Sequence, residues 1–137
     1  MNHINSPDTS DSAIEREIVA KGLTAPRVTP ADIEANISSE WYLSPDDGDY
    51  IAFLCANAGR HGTAPPAALN LLTFCVLVLK NGFTVTGESA CASPENFDAE
   101  LGRKIARANA LNKVWALEGY LLKERLYQAQ QPAQAPA

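Results

Sequence analysis

Two histidines, three cysteines and one methionine are all that a chain of 137 residues offers to a metal or a redox centre. His3 and His61 stand far apart, and Cys55, Cys75 and Cys91 form no Cys-x-x-Cys pair, so no recognised zinc or iron–sulfur spacing is present. An odd number of isolated cysteines suits a reducing compartment and argues against a disulfide framework. Positive charge is also scarce, 11 Lys and Arg against 16 Asp and Glu for a net charge of -5, which opposes phosphate-driven binding of duplex nucleic acid. No apolar run approaches the roughly 18 residues that span a bilayer; the longest, Leu69 to Leu79, is interrupted by Asn70 and Thr73. The polar, acidic start of the chain resembles neither a secretion signal nor a transit peptide. Phosphate loops, dinucleotide fingerprints and a readable nucleophile–base pair are missing too. The expectation is a soluble cytoplasmic protein without membrane contact, metal or cofactor, which binds rather than catalyses.

What is present is an ordinary globular composition, 46% hydrophobic and 20% charged, enough for one core. Residues 1–12 and the Ala/Gln/Pro stretch 129–137 read as disordered tails around a single domain at 13–128. Ala13 to Lys21 followed by Gly22 suits a short N-terminal helix with a glycine cap. Thr29, Pro30 and Asp32 form a helix start, and the spacing of Ile33, Ile37 and Trp41 predicts a helix from about Pro30 to Tyr42. A turn follows at Ser44 to Asp49. Tyr50 to Ala56 fits strand or helix, and Ala58 to Pro66, with two glycines and Pro65-Pro66, reads as a loop.

The clearest local signal is the apolar run Leu71 to Leu79, then Lys80-Asn81-Gly82-Phe83, then a strand to Cys91. Asn-Gly suits a type I′ turn, in which both central residues take positive φ. That turn sets Lys80 opposite Phe83, Val78 opposite Val85, Val76 opposite Gly87 and Phe74 opposite Ser89 on the core face. The other face pairs Leu79 with Thr84, Leu77 with Thr86 and Cys75 with Glu88. Two strands alone are marginal, so either Tyr50 to Ala56 adds a third or a second subunit covers them.

Ser93-Pro94 reads as the cap and first position of a helix to about Gln128, roughly 50 Å long. A helix of that length bends, breaks or protrudes, with Gly102 and Gly119 as its weak points. Its apolar stripe is Phe97, Leu101, Ile105, Ala108, Leu111, Trp115, Leu122 and Leu126; Val114, Tyr120 and Leu121 lie off it, and this surplus implies a homo-oligomer. The fold class is α+β: an N-terminal helix, an antiparallel hairpin open to a third strand, and a long C-terminal helix.

The run Leu72-Thr-Phe-Cys-Val-Leu-Val-Leu-Lys-Asn-Gly-Phe-Thr-Val-Thr-Gly-Glu-Ser-Ala-Cys-Ala-Ser-Pro-Glu-Asn-Phe-Asp-Ala-Glu-Leu-Gly-Arg-Lys-Ile-Ala-Arg107 continues to Trp115-Ala-Leu-Glu-Gly-Tyr-Leu-Leu122. It resembles a family of small tailed-phage and prophage proteins, the Gp-forty-nine or Gp-sixty-six family. The likeness covers about Pro26 to Leu43 and Leu71 to Leu126, with residues 44–70 and the tails private to this chain. It implies a phage-encoded, non-virion accessory protein acting in the host cytoplasm, and brings no catalytic residues to carry over. Ala108, beside Arg107, stands where the resemblance implies an acidic residue, which removes an intrahelical partner for that arginine.

Binding chemistry is sought in the cations. Arg103, Lys104, Arg107 and Lys113 follow one another with no acid between Gly102 and Lys113. One reading makes Lys104 a surface partner of Glu100, four residues earlier. The other makes Arg103, Lys104 and Arg107 a pocket for a small phosphorylated or nucleotide-derived ligand, such as a host defence signal, aided by amides at the Ser93 helix start and by Glu88 as a ligand-reading carboxylate. Two functions stay open: sequestering that ligand, or engaging a host or phage protein through the apolar face of the last helix.

Overall fold

The computed structural model describes residues 11–132. The expected tails lie outside it up to residue 10 and from residue 133. In chain order the elements are α1 (Asp11–Ala20), α2 (Pro30–Ala35), β1 (Ile37–Leu43), α3 (Gly48–His61), β2 (Leu72–Leu79), β3 (Thr84–Ala90) and α4 (Ala99–Gln130), with 3-10 turns at Ala67–Leu71 and Pro94–Asn96. This is the α+β class expected. The chain divides into two compact units: residues 37–114, and a second unit that contains 11–36 and 115–132.

The unit 37–114 is built on a three-stranded antiparallel sheet of order β1-β2-β3. The third strand is Ile37–Leu43, and the expected helix Pro30–Tyr42 stops at Ala35. The spacing of Ile33, Ile37 and Trp41 imitates a helical stripe. Asn36 ends that helix, and the Ile, Trp and Tyr that follow prefer a pleated, half-buried surface. Tyr50 to Ala56 therefore does not extend the sheet. It lies in α3, which Asp47 caps by accepting from the Asp49 N–H at 3.1 Å. The helix runs to His61, into the segment read as loop, until Gly62 closes it at φ +66°.

The hairpin turns at Asn81-Gly82 as expected, but with a different turn and a register displaced by one residue. Only Gly82 takes positive φ, +86°. The Gly82 N–H donates to Leu79 O at 2.9 Å and the Leu79 N–H to Phe83 O at 2.8 Å, so three residues, not two, cross the gap. This is a type I turn closed by a glycine bulge. Asn81 spends its side chain on the turn, its Oδ1 accepting from the Phe83 N–H at 2.9 Å. The pairs are Val78 with Thr84, Leu77 with Val85, Val76 with Thr86, Cys75 with Gly87 and Phe74 with Glu88. Val85 thus shares a face with Leu77 and Cys75, not with Val78 and Phe74, and Glu88 does not face Cys75.

The displacement exchanges the core face. Thr73, Cys75, Leu77 and Leu79 are buried, together with Val85 and Gly87. The first half of α4 covers them with Gly102, Ala106, Ala110 and Val114, not with the larger residues of the expected stripe. The approach is backbone to backbone. A methyl group on Gly87 would come under 3.0 Å from Ala106 O and from Ala110 N and Cβ, and one on Gly102 would meet Thr73 Oγ1 at 2.6 Å. The other sheet face carries Phe74, Val76 and Val78, half-buried, with the α3 ring of Tyr50 6.4 Å from that of Phe74.

The second unit is thinner. Thr29 and Asp32 form the expected capping box of α2, and Gly22, at φ +69°, follows α1 as expected. Arg27 bonds Glu15 at 2.6 Å through both terminal nitrogens, Trp115 Nε1 donates to Asp11 at 3.0 Å, and Asn36 donates to Glu118. Ile33 is the large apolar residue buried among those described here, while Ile14, Val19, Leu23, Leu117, Tyr120, Leu121 and Tyr127 are exposed.

Candidate functional site

The last helix begins later than its sequence suggests. Ser93 makes no side-chain cap bond, and Pro94–Asn96 is a 3-10 turn that uses the Asn96 and Phe97 N–H groups on Ser93 O and Pro94 O. Asp98 is the true cap, its Oδ1 accepting from the Leu101 N–H at 2.9 Å. The amides proposed to hold an anion at Ser93 are thereby partly consumed.

From Ala99 the helix carries the cations across the sheet, and each meets a defined oxygen. Arg103 lies 3.1 Å from Asp46, in the loop after β1. The Asp46 carboxyl is held below its usual range by the Ser44 hydroxyl first and Arg103 second. The Ser44 contact is polarising rather than a well-formed hydrogen bond, since Ser44 Oγ, buried, has no partner at good geometry. Lys104 sits 3.5 Å from Glu100, with both side chains more than 70% exposed, as the plainer reading of the sequence expects. Arg107 reaches β1, where Glu40 Oε1 accepts from its Nε at 2.8 Å and lies 2.7 Å from a terminal nitrogen. The acidic partner that Ala108 does not supply within the helix comes instead from the sheet.

On the opposite edge, Asn109 and Lys113 donate to backbone oxygens of β3, Glu88 O at 2.7 Å and Thr86 O at 2.5 Å. The five side chains therefore do two jobs. Arg103, Arg107, Asn109 and Lys113 fasten α4 to both margins of the sheet, and Lys104 stays in solvent. Glu88, on the face away from α4, is exposed. Arg103, Lys104 and Arg107 are thus brought within two turns of one helix, whereas Glu88 and Ser93 do not converge on them.

Sequence reasoning missed Glu40 and Tyr42, because it set both inside a helix. Tyr42 OH donates to Glu40 Oε2 at 3.0 Å, so Glu40 receives Arg107 on one oxygen and Tyr42 on the other. Arg107 first, then Tyr42, hold the Glu40 carboxyl down against its burial. Burial drives the Tyr42 hydroxyl well above its ordinary value, with Cys75 and Glu40 adding to it. Burial likewise pushes the Cys75 thiol up, leaving it a poor nucleophile. The signal that identifies this pair is period two: positions 40 and 42 share a strand face.

Two other features complete the inventory. An apolar groove of about 620 Å³ lies between α3 and the segment after it, lined by Phe53, Leu54, His61, Pro65, Pro66 and Leu69 among others, with no Asp, Glu, Lys or Arg. In the second unit, the C-terminal half of α4 shows Leu117, Tyr120, Leu121 and Tyr127, 40%, 74%, 40% and 52% exposed. At about 100° per residue these four fall with Glu124 within roughly 120° of arc, one exposed row along a single face of the helix. Among the described residues no His, Cys, Asp and Glu cluster suits a metal, and no helix is long and apolar enough to cross a membrane. The three cysteines are free.

Residues 28–126, which hold the sheet and most of α4, match the model of the phage protein (N4 Gp49/phage Sf6 gene 66) family. The chain belongs to this family. The matched span of the Gp49/gene 66 family includes residues 44–70, which the sequence likeness set aside as private. No curated protein and no solved structure matches the chain.

Proposed function

We propose that this phage protein is an accessory factor of the host cytoplasm that works by binding another protein, host or phage, through the exposed row on the C-terminal half of α4, without catalysis. The observation that supports it is Leu117, Tyr120, Leu121 and Tyr127 standing open to solvent on a helix whose unit, among the described residues, buries little else. Large aromatic and aliphatic residues on one helical row are the usual anchors for a partner's groove or helix. Sequestration of a small phosphorylated, nucleotide-derived ligand by Arg103, Lys104 and Arg107 is the second reading. It is favoured by their clustering and weakened by the carboxylates already engaged with them.

The test compares Leu117→Glu/Tyr120→Glu with Lys104→Ala and with Lys123→Ala, a lysine outside the cluster. Both glutamates enter at exposed positions, so thermal melting should change little. A stoichiometric partner recovered from infected cells should be lost about tenfold or more from the double variant alone, as for a removed anchor pair. In parallel, a thermal-shift series against nucleotides and cyclic nucleotides should leave the melting point unchanged. A stabilisation by one of them that Lys104→Ala removes and Lys123→Ala keeps would reverse the order of the two readings.

A further inference from the structure

The two edges of the sheet are treated differently. In the hairpin, the Leu79 N–H to Phe83 O bond and the Cys91 N–H to Leu71 O bond show that alternate β2 residues from 71 to 79 turn their polar backbone groups toward β3. Residues 74, 76 and 78 therefore turn theirs toward β1, where they pair with Leu43, Trp41 and Ser39. The same alternation sends the N–H and C=O groups of Thr86 and Glu88 outward from β3, and those of Glu40 and Tyr42 outward from β1. On β3 the two outward carbonyls are capped by Lys113 and Asn109. On β1 no described residue bonds the outward groups of Glu40 or Tyr42. An open edge of this kind is a template for another strand.

We infer that β1 pairs with β1 of a second copy, antiparallel about a two-fold axis at Trp41, joining two sheets into one of six strands. The occupant follows from the register. Because Glu40 and Tyr42 both face outward, a two-fold at Trp41 matches Glu40 of one chain with Tyr42 of the other, twice, as hydrogen-bonded pairs that supply four backbone bonds. Each carboxylate then lies beside a phenol, the same chemistry that already joins the two at 3.0 Å within one chain. Trp41 meets its own copy at a non-hydrogen-bonded position, where side chains approach most closely and aromatic pairs are favoured. This gives a role to a tryptophan that is 64% exposed and whose ring Ser39 Oγ holds at 3.0 Å. A two-fold at Glu40 is disfavoured, since it would oppose two carboxylates directly. Symmetric pairing of this type is self-limiting, because it consumes both free edges.

Single cysteines at positions 39 to 43, each in a Cys55→Ser background that removes the exposed native thiol, test the axis. Only a residue on the two-fold meets itself within disulfide reach. Trp41→Cys should form an interchain disulfide about tenfold faster than Ser39→Cys or Leu43→Cys, whose partners are each other. Ser39→Cys mixed with Leu43→Cys should recover the fast rate. Light scattering of the unsubstituted chain should give a dimer. A monomer at high concentration, or crosslinking that is uniform along the strand or fastest elsewhere than 41, overturns the inference. The helical row on α4 is untouched by these variants, so loss of one result leaves the other standing.

Discussion

One helix carries two opposite solutions to packing. Between Gly102 and Val114, α4 turns Gly, Ala, Ala and Val to the sheet and buries all four. Between Leu117 and Tyr127 it turns Leu and Tyr residues to solvent. Residue size is inverted relative to a simple hydrophobic stripe. In the first half, small side chains let the helix backbone reach the strand backbone, and the apolar bulk is supplied by Leu77, Leu79 and Cys75 from below. In the second half the bulk is on the helix itself and the described residues offer little to receive it. Small residues therefore mark where this helix is closed by its own fold, and large ones mark where it is available.

Gly87→Ala should strike hardest at the closed half of the helix. The added methyl would press on Ala106 O and Ala110 N, both backbone atoms of α4, as well as on the Ala110 methyl. Neither backbone group can rotate away, so the helix must lift from the sheet. Overpacking of this kind costs about 3 kcal/mol, read as a fall in the urea midpoint at unchanged m. A loss under about 0.5 kcal/mol would mean that α4 does not rest on Gly87.

These contacts explain how much the sequence discloses. The α2 capping box, the α1 and Gly22 pairing, the hairpin and the long helix were legible because each rests on local chemistry within a few residues. Three features were not. Ile37 to Leu43 satisfies a helical spacing and a strand propensity together, and only pairing with β2 decides between them. Asn81-Gly82 fits two turns that differ by one residue, and that residue exchanges the buried face of the entire hairpin. The partners of Arg103 and Arg107, Asp46 and Glu40, lie 57 and 67 residues away in the chain, beyond any local pattern. The cationic cluster was found by composition, but its role as a clamp belongs to the sheet.

Glu40→Gln probes the clamp at the margin of the closed half, with a smaller effect. It removes a charge from the Arg107 pair, at a cost of about 1 kcal/mol near neutral pH, the upper range for a pair that still sees solvent. The sign with pH follows from the direction of its titration. The folded Glu40 carboxyl lies below its ordinary value of 4.5, so the unfolded chain takes the proton first as acid is added. The stabilisation is present above the ordinary value and is lost as pH falls through the folded one. Melting temperatures of the natural chain and of Glu40→Gln should differ at pH 7 and converge as the pH falls below that ordinary value of 4.5. A constant gap across that range would detach Glu40 from the clamp.

The smallest expected effect has the opposite sign, and it comes from the other half of the helix. Gly119 lies inside α4 with no positive φ, and an added methyl would have nothing within 4 Å. Neither a turn nor a close neighbour among the described residues calls for glycine there. Gly119→Ala should stabilise the isolated chain by about 0.5–1 kcal/mol through helix propensity alone, seen as a higher melting point with more helical ellipticity. The same methyl that damages the first half at Gly87 thus improves the second. Gly119 precedes Tyr120 in the chain but lies about 100° from it around the helix, off the exposed row, so the substitution separates a partner confined to that row from one that wraps further round α4. A partner that packs closely over the glycine would be weakened by Gly119→Ala even as the free chain gains stability. A partner anchored only by Leu117, Tyr120 and Tyr127 would bind the variant unchanged.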